Sequence, residues 1–118
     1  MASLGAVVQA LAARDDVAAV VLASADGLPI QHAGSLPADP DAIAALAATF
    51  GRQAGALADT LWKGAADTVA LECNEQLAIA ARLGGGDWLV VLPADGADAG
   101  ALLFELRRHR PALAALLA

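Results

Sequence analysis

The stretch DPDAIAALAATFGRQAGALADTLWK, residues 39–63, is the longest helical pattern in the chain, and its reading decides the fold. At 100° per residue, Ile43, Leu46, Ala47, Phe50, Ala54, Leu57 and Leu61 share one stripe, the spacing of a helix laid on a core. That face is expected to pack on the chain's own domain. A second stripe, turned by roughly a quarter of the circumference, holds Ala44, Ala48, Gly51, Gly55 and Ala58 and closes with Trp62. Glycine inside a helix costs about 1 kcal/mol relative to alanine, so two glycines one turn apart imply that another backbone comes close. The stretch therefore reads as a helix with two partners, the core below and a second helix from another copy of the chain beside it. An alanine-rich composition with incidental glycines is the plainer alternative.

Signals at both ends bound this helix. Asp39 can cap it, Pro40 fits the first turn where a missing N–H is no loss, and Gly64 can end it. Upstream, Val17–Ser24 is a continuous apolar run rich in β-branched residues, as in a strand covered on both faces. Ala25, Asp26 and Gly27 form a turn, and Leu28–Ala33 returns as a second strand in which Pro29 limits central pairing. Before these lies a short amphipathic helix over residues 3–13, with Ser3 as N-cap and Leu4, Val7, Val8 and Leu11 on one face.

Downstream, Asp67–Cys73 alternates, with Val69, Leu71 and Cys73 on its apolar face. Gln76–Leu83 follows after an Asn74–Glu75 turn, and Asp87–Pro93 after Gly84–Gly86. Asp98 caps a last helix that turns Leu102, Leu103 and Leu106 inward, and Pro111 is expected to kink or restart it before PALAALLA. The order is α-β-β-α-β-β-β-α, which predicts a five-stranded, antiparallel-type sheet with helices on both faces, in the α/β (α+β) class. A single domain over residues 1–118 is expected, since that length can bury roughly two-thirds of its unfolded surface.

Composition narrows the function classes. Hydrophobic residues make up 58 % of the 118 and aromatics only 3 %, so the core is built from Ala, Val and Leu in closely packed layers. A formal net charge of −6 argues against a nucleic-acid or anionic-membrane surface, both of which need clustered Lys and Arg. The single cysteine excludes an intramolecular disulfide and suits a reducing compartment. The amino end MASLGAVVQALAARDD has no positive n-region, and no apolar run reaches the roughly 20 residues of a membrane helix. Cytoplasmic location without membrane insertion is the expectation.

No enzyme assembles from the remaining residues. Gly84–Gly86 is followed by neither a helix nor GKS or GKT, so it is a hairpin tip and not a P-loop. Asp26 has no partner acid, base or nucleophile in view. His32 and His109 lie far apart in different element types, which argues against a zinc pair, and Cys73 reads as a small buried hydrophobe. No catalytic residue, metal or cofactor is therefore expected, and an enzyme using Cys73 or His32 ranks last. Arg107, Arg108, His109 and Arg110 read as a solvated helix end, whereas Arg52, with Asp59 and Lys63 on the same exposed helix face, is a candidate partner contact.

Three segments together carry a family resemblance: VAAVVLASADGLPI (17–30), DPDAIAALAATF (39–50) and WLVVLPADGADAGALLFELRR (88–108). With the acidic-Gly turn at Asp26–Gly27 and the Gly96–Gly100 segment opening the last helix, the chain resembles the roadblock / dynein light chain family over nearly its whole length, and specifically its short bacterial stand-alone members. The resemblance implies a homodimer whose third strands pair across a two-fold axis while the long helices lie side by side. Carried onto this chain, the interface would take Thr68, Val69, Ala70, Leu71 and Glu72 with Ala44, Ala48, Gly51, Gly55 and Ala58. It also implies a non-enzymatic regulator or scaffold bound to a small Ras-like GTPase, modulating its nucleotide cycle or its localisation. No catalytic arginine maps onto Arg52 or the Arg107 cluster, so activation would act by ordering the GTPase's own switch residues. The alternative is a sensor module of similar α/β shape holding a small ligand between helix and sheet.

Overall fold

The computed structural model describes residues 3–117. Its elements are α1 (Leu4–Ala12), β1 (Val17–Ala23), β2 (Pro29–Gly34), α2 (Pro40–Trp62), β3 (Thr68–Cys73), β4 (Gln76–Arg82), β5 (Trp88–Pro93) and α3 (Ala99–Leu117). This is the expected order. All five strands form one antiparallel sheet in the order β2-β1-β5-β4-β3, leaving β2 and β3 at the edges. Pro29 begins an edge strand, where its missing donor costs no ladder bond.

Local chemistry sets the element ends. Ser3 Oγ accepts from the Ala6 N–H, and Asp39 Oδ1 accepts from the Asp41 N–H ahead of Pro40. Lys63 closes α2 in the left-handed region at φ 52. Asp98 Oδ1 accepts from the Ala101 N–H at 3.1 Å and so opens α3.

Side-chain alternation divides the core into two layers. On one face, Val20, Leu22, Leu89 and Val91 meet Val8 and Leu11 of α1 and Leu102 and Leu106 of α3. On the other face, Val21, Ala23, Val90 and Trp88 lie under α2. β1, paired on both sides by β2 and β5 and covered on both faces, is buried along nearly its whole length, as its unbroken apolar run requires.

The long helix lies on the sheet by the opposite stripe from the one expected. Ala44, Ala48, Gly51 and Ala58 are the buried residues of α2, whereas Leu46 is 70 % and Leu57 60 % exposed and Phe50 and Leu61 stand in solvent beside them. Of the larger set, only Ile43 and Ala47 reach the core, as half-buried neighbours of it. The cause is Trp88: its indole fills the space opposite Gly51, and a helix can cross a ring at that distance only on small residues. The second backbone inferred from the glycines is at Gly51 a tryptophan of the chain's own sheet.

Two further expectations change. Cys73 is exposed, because it ends an edge strand instead of lying under a helix. α3 runs through Pro111 without a restart; the ring removes one intrahelical donor, yet the helix continues to Leu117. Ala118, the last residue of PALAALLA, lies outside the described residues.

Candidate interaction surface

The exposed stripe of α2 does not stand alone. Leu46 and Phe50 face Val69 and Leu71 of β3 across an apolar cleft of about 180 Å3, floored by Ala78 and Ala80 of β4. β3 pairs only with β4, so its outer backbone N–H and C=O groups have no strand partner among the described residues. Of its residues, Thr68 and Val69 are half-buried and Ala70, Leu71 and Glu72 exposed. An unpaired strand edge beside a row of large exposed apolar side chains is a surface that folding has left unfinished.

These positions revise the expected helix interface. Ala44, Ala48, Gly51 and Ala58 lie inside the fold and are closed to a partner, while a Cβ at Gly55 would meet no atom within 4 Å. The exposed large residues were missed because apolar stripes are read as buried when size is the criterion. The signal that could have found them is the glycine in α2 together with a tryptophan on an otherwise small-residue sheet.

Arg52 and Asp59 are exposed on the flank of α2 turned away from that stripe, as the 100° period places them, and Lys63 is exposed at the left-handed residue that closes the helix. The Arg52 guanidinium donates to the Ala25 carbonyl oxygen at 3.4 Å and to Thr49 Oγ1 at 3.3 Å. It thus ties α2 to the turn between β1 and β2. The same turn is held by Asp87 Oδ1, which accepts the Ala25 N–H at 2.9 Å, and Gly27, at φ 85, lies against the backbone of Ala45. The Asp26 turn is a pinned structural corner.

The other chemically capable side chains stay apart. His32 is exposed on β2, and His109 is 3.6 Å from Glu105, which also meets Arg108 at 3.0 Å and Arg14 at 3.8 Å. Arg14 is also bidentate with Asp16 at 2.9 Å; its hydrogen bonds hold the Asp16 carboxyl below the usual carboxylate range, and those bonds raise the Arg14 guanidinium in turn. Among the described residues no group of three or more His, Cys, Asp or Glu is arranged to hold a metal ion, and no helix is long and apolar enough to cross a membrane.

The model of the Roadblock/LC7 domain family matches residues 4–93. The chain belongs to that family. Among solved structures, a Roadblock/LC7 domain from Streptomyces avermitilis is 28 % identical with a TM-score of 0.78, over 95 % of this chain and 98 % of that one. MglB from Myxococcus xanthus is 20 % identical with a TM-score of 0.86, over 96 % and 93 % of the two chains. The gliding protein MglB from Thermus thermophilus is 21 % identical with a TM-score of 0.79, over 93 % and 84 %. No curated protein matches. The roadblock fold thus spans nearly the whole chain, α3 included, beyond the residues that the family model covers.

Proposed function

We propose that this roadblock chain is a homodimeric, non-enzymatic regulator that binds a small Ras-like GTPase. One observation carries the reading: Leu46, Phe50, Leu57 and Leu61 are exposed along α2 beside the unpaired edge of β3. A two-fold axis through that edge joins two β3 strands antiparallel and lays two α2 helices side by side. A ten-stranded sheet and a buried helix pair result. The large-residue stripe is the helix part of this interface, and Thr68–Glu72 is the strand part. Family membership supports the regulatory role.

In such a dimer Arg52 and Asp59 stay on the outward flank of each α2 and Lys63 at its closing residue, available to the GTPase. They offer charge for recognition and no assembled acid–base pair, which fits a partner that orders the GTPase's switches without doing the chemistry itself. The protein belongs in the cytoplasm on this reading, where such GTPases and a lone exposed thiol are both at home.

Two measurements test it. Light scattering coupled to gel filtration should return twice the chain mass at micromolar concentration, and a monomer there removes the dimer. Immobilised protein should retain a small GTPase from native lysate more strongly with a non-hydrolysable GTP analogue than with GDP, and the hydrolysis rate or location of that GTPase should change with this protein present. A retained GTPase whose rate and location both ignore the protein removes the regulatory role.

A further inference from the structure

The free edge of β3 has a hydrogen-bond phase. The Arg82 N–H donates to the Asp67 carbonyl oxygen at 2.8 Å, and the β3–β4 register continues that pairing from Thr68 opposite Ala81 to Cys73 opposite Gln76. Bonded residues alternate along an antiparallel ladder, so 67, 69, 71 and 73 turn their N–H and C=O groups toward β4, and Thr68, Ala70 and Glu72 turn theirs to the open side. A second antiparallel β3 can bond only where its own outward residues stand opposite these. A two-fold axis at Ala70 satisfies all three, setting Thr68 against the partner's Glu72 and Ala70 against the partner's Ala70. An axis at Leu71 sets Thr68 against Asn74, which has left the extended region at φ 47, and an axis at Val69 sets Glu72 against Ala66, outside the strand.

The long helix has the same symmetry. Its exposed Leu46, Phe50, Leu57 and Leu61 recur at i, i+4, i+11 and i+15, a spacing that reads alike from either end. An antiparallel second α2 thus brings Leu46 to the partner's Leu61 and Phe50 to the partner's Leu57, with Ala54 near the middle. Val69, next to Ala70, lines both the cleft under Leu46 and Phe50 and the groove beside Leu57 and Leu61, so one axis serves strand and helix. A second copy matches this palindrome by construction, and an unrelated chain has no reason to.

Charge is complementary across that register. Glu72, near one end of β3, lines a recess with Glu75 and Asp95. By alternation its side chain is on the α1 and α3 face of the sheet, the face of Ile79 opposite Ala70. At the other end, about 13 Å away at the rise of a strand, Thr68 lines a groove with Arg107 and Arg110 of α3. Asp67 there is taken by Arg110 and Arg82, each at 3.5 Å. Neither Glu72 nor Arg107 has an ion pair among the described residues. We propose, resting on the dimer reading, that β3 pairs with its copy about Ala70 and that Glu72 of each copy forms an ion pair with Arg107 of the other. The partner's Glu72, opposite Thr68, then lies on the face that carries α3, where the planar guanidinium suits a carboxylate. The dimer holds this pair twice, and α3 becomes part of the interface.

Light scattering over a concentration series at low salt reads the dimer dissociation constant. Glu72→Lys and Arg107→Glu, both exposed changes, should each raise it by about fivefold or more, and the double variant should return to within about twofold of the wild type. The two positions stand at opposite ends of β3 in one chain, so that rescue acts only between copies. In a Cys73→Ser background, Ala70→Cys should oxidise to a linked dimer well before Leu71→Cys does, because only the residue on the axis meets its own copy at roughly 5.5 Å. Single variants that leave the constant unchanged, or a double variant no tighter than the singles, overturn the ion pair. A Leu71→Cys link that forms first overturns the register. A chain monomeric at every concentration removes the dimer itself, a result distinct from both.

Discussion

Gly51 of α2 lies against the indole of Trp88 on β5: a Cβ at position 51 would fall inside contact distance of ring atoms Cε2, Nε1 and Cζ2. The ring is 4 % exposed and packs among Val21, Ala23 and Val90, so it has little room to yield. Gly51→Ala should therefore destabilise the fold by about 1–3 kcal/mol through overpacking. Gly55→Ala, with no atom within 4 Å of the new methyl, should stabilise by up to about 1 kcal/mol through helix propensity. Urea denaturation of the two variants separates them. Equal destabilisation would mean that Gly51 and Gly55 face the same kind of neighbour.

Replacement on the two sides of α2 should have opposite readouts. Leu57→Glu keeps the buried stripe and should leave the circular dichroism and melting of the monomer intact, while raising the dimer dissociation constant by about tenfold or more. Ala48→Leu, at a position 2 % exposed, should unfold the chain before it affects association. Light scattering at several concentrations, read beside thermal melts, checks both.

Pro111 sits inside a helix that runs from Ala99 to Leu117. Pro111→Ala restores an intrahelical donor and removes the ring from the preceding turn, so it should stabilise α3 by up to about 3 kcal/mol. Slower amide exchange across residues 107–114 is the measurement. Unchanged exchange would mean that the helix there is held by its contacts, Ala114 with Gly84 and Arg110 with Asp67, more than by its own ladder.

Acid should loosen the junction of α1 and β1. Hydrogen bonds from Arg14 hold the Asp16 carboxyl below its ordinary range. A carboxyl depressed in the folded state contributes stability that is present above its unfolded pKa and is lost as pH falls through the folded value. Stability should decline on acidification below the usual carboxylate range, and Asp16→Asn should flatten part of that decline while lowering stability at neutral pH. Denaturation midpoints between neutral and strongly acidic pH test it; an identical slope in the variant would place the acid sensitivity elsewhere.

The order of elements and nearly all their ends were legible in the residues because they depend on neighbours in sequence. Ser3, Asp39 and Asp98 cap, Pro40 starts, and alternation over 68–73 and 76–82 marks strands, while the left-handed stop of α2 falls on Lys63, one residue before the expected Gly64. The edge position of β2 followed in the same way from Pro29. Cys73 was misread because alternation says which residues share a face and nothing about whether that face is covered. Pro111 was misread because a helix held by Leu102 and Leu106 from outside tolerates a break in its own ladder.

By itself, then, the sequence determined the elements, their order and the presence of two apolar sides on residues 39–63. Only the tertiary structure decided which side faces the sheet. A helical period is symmetric between two apolar faces, and the choice lies in the surface opposite: one Trp88 ring under Gly51 admits the small side and turns Leu46, Phe50, Leu57 and Leu61 outward, next to the free edge of β3.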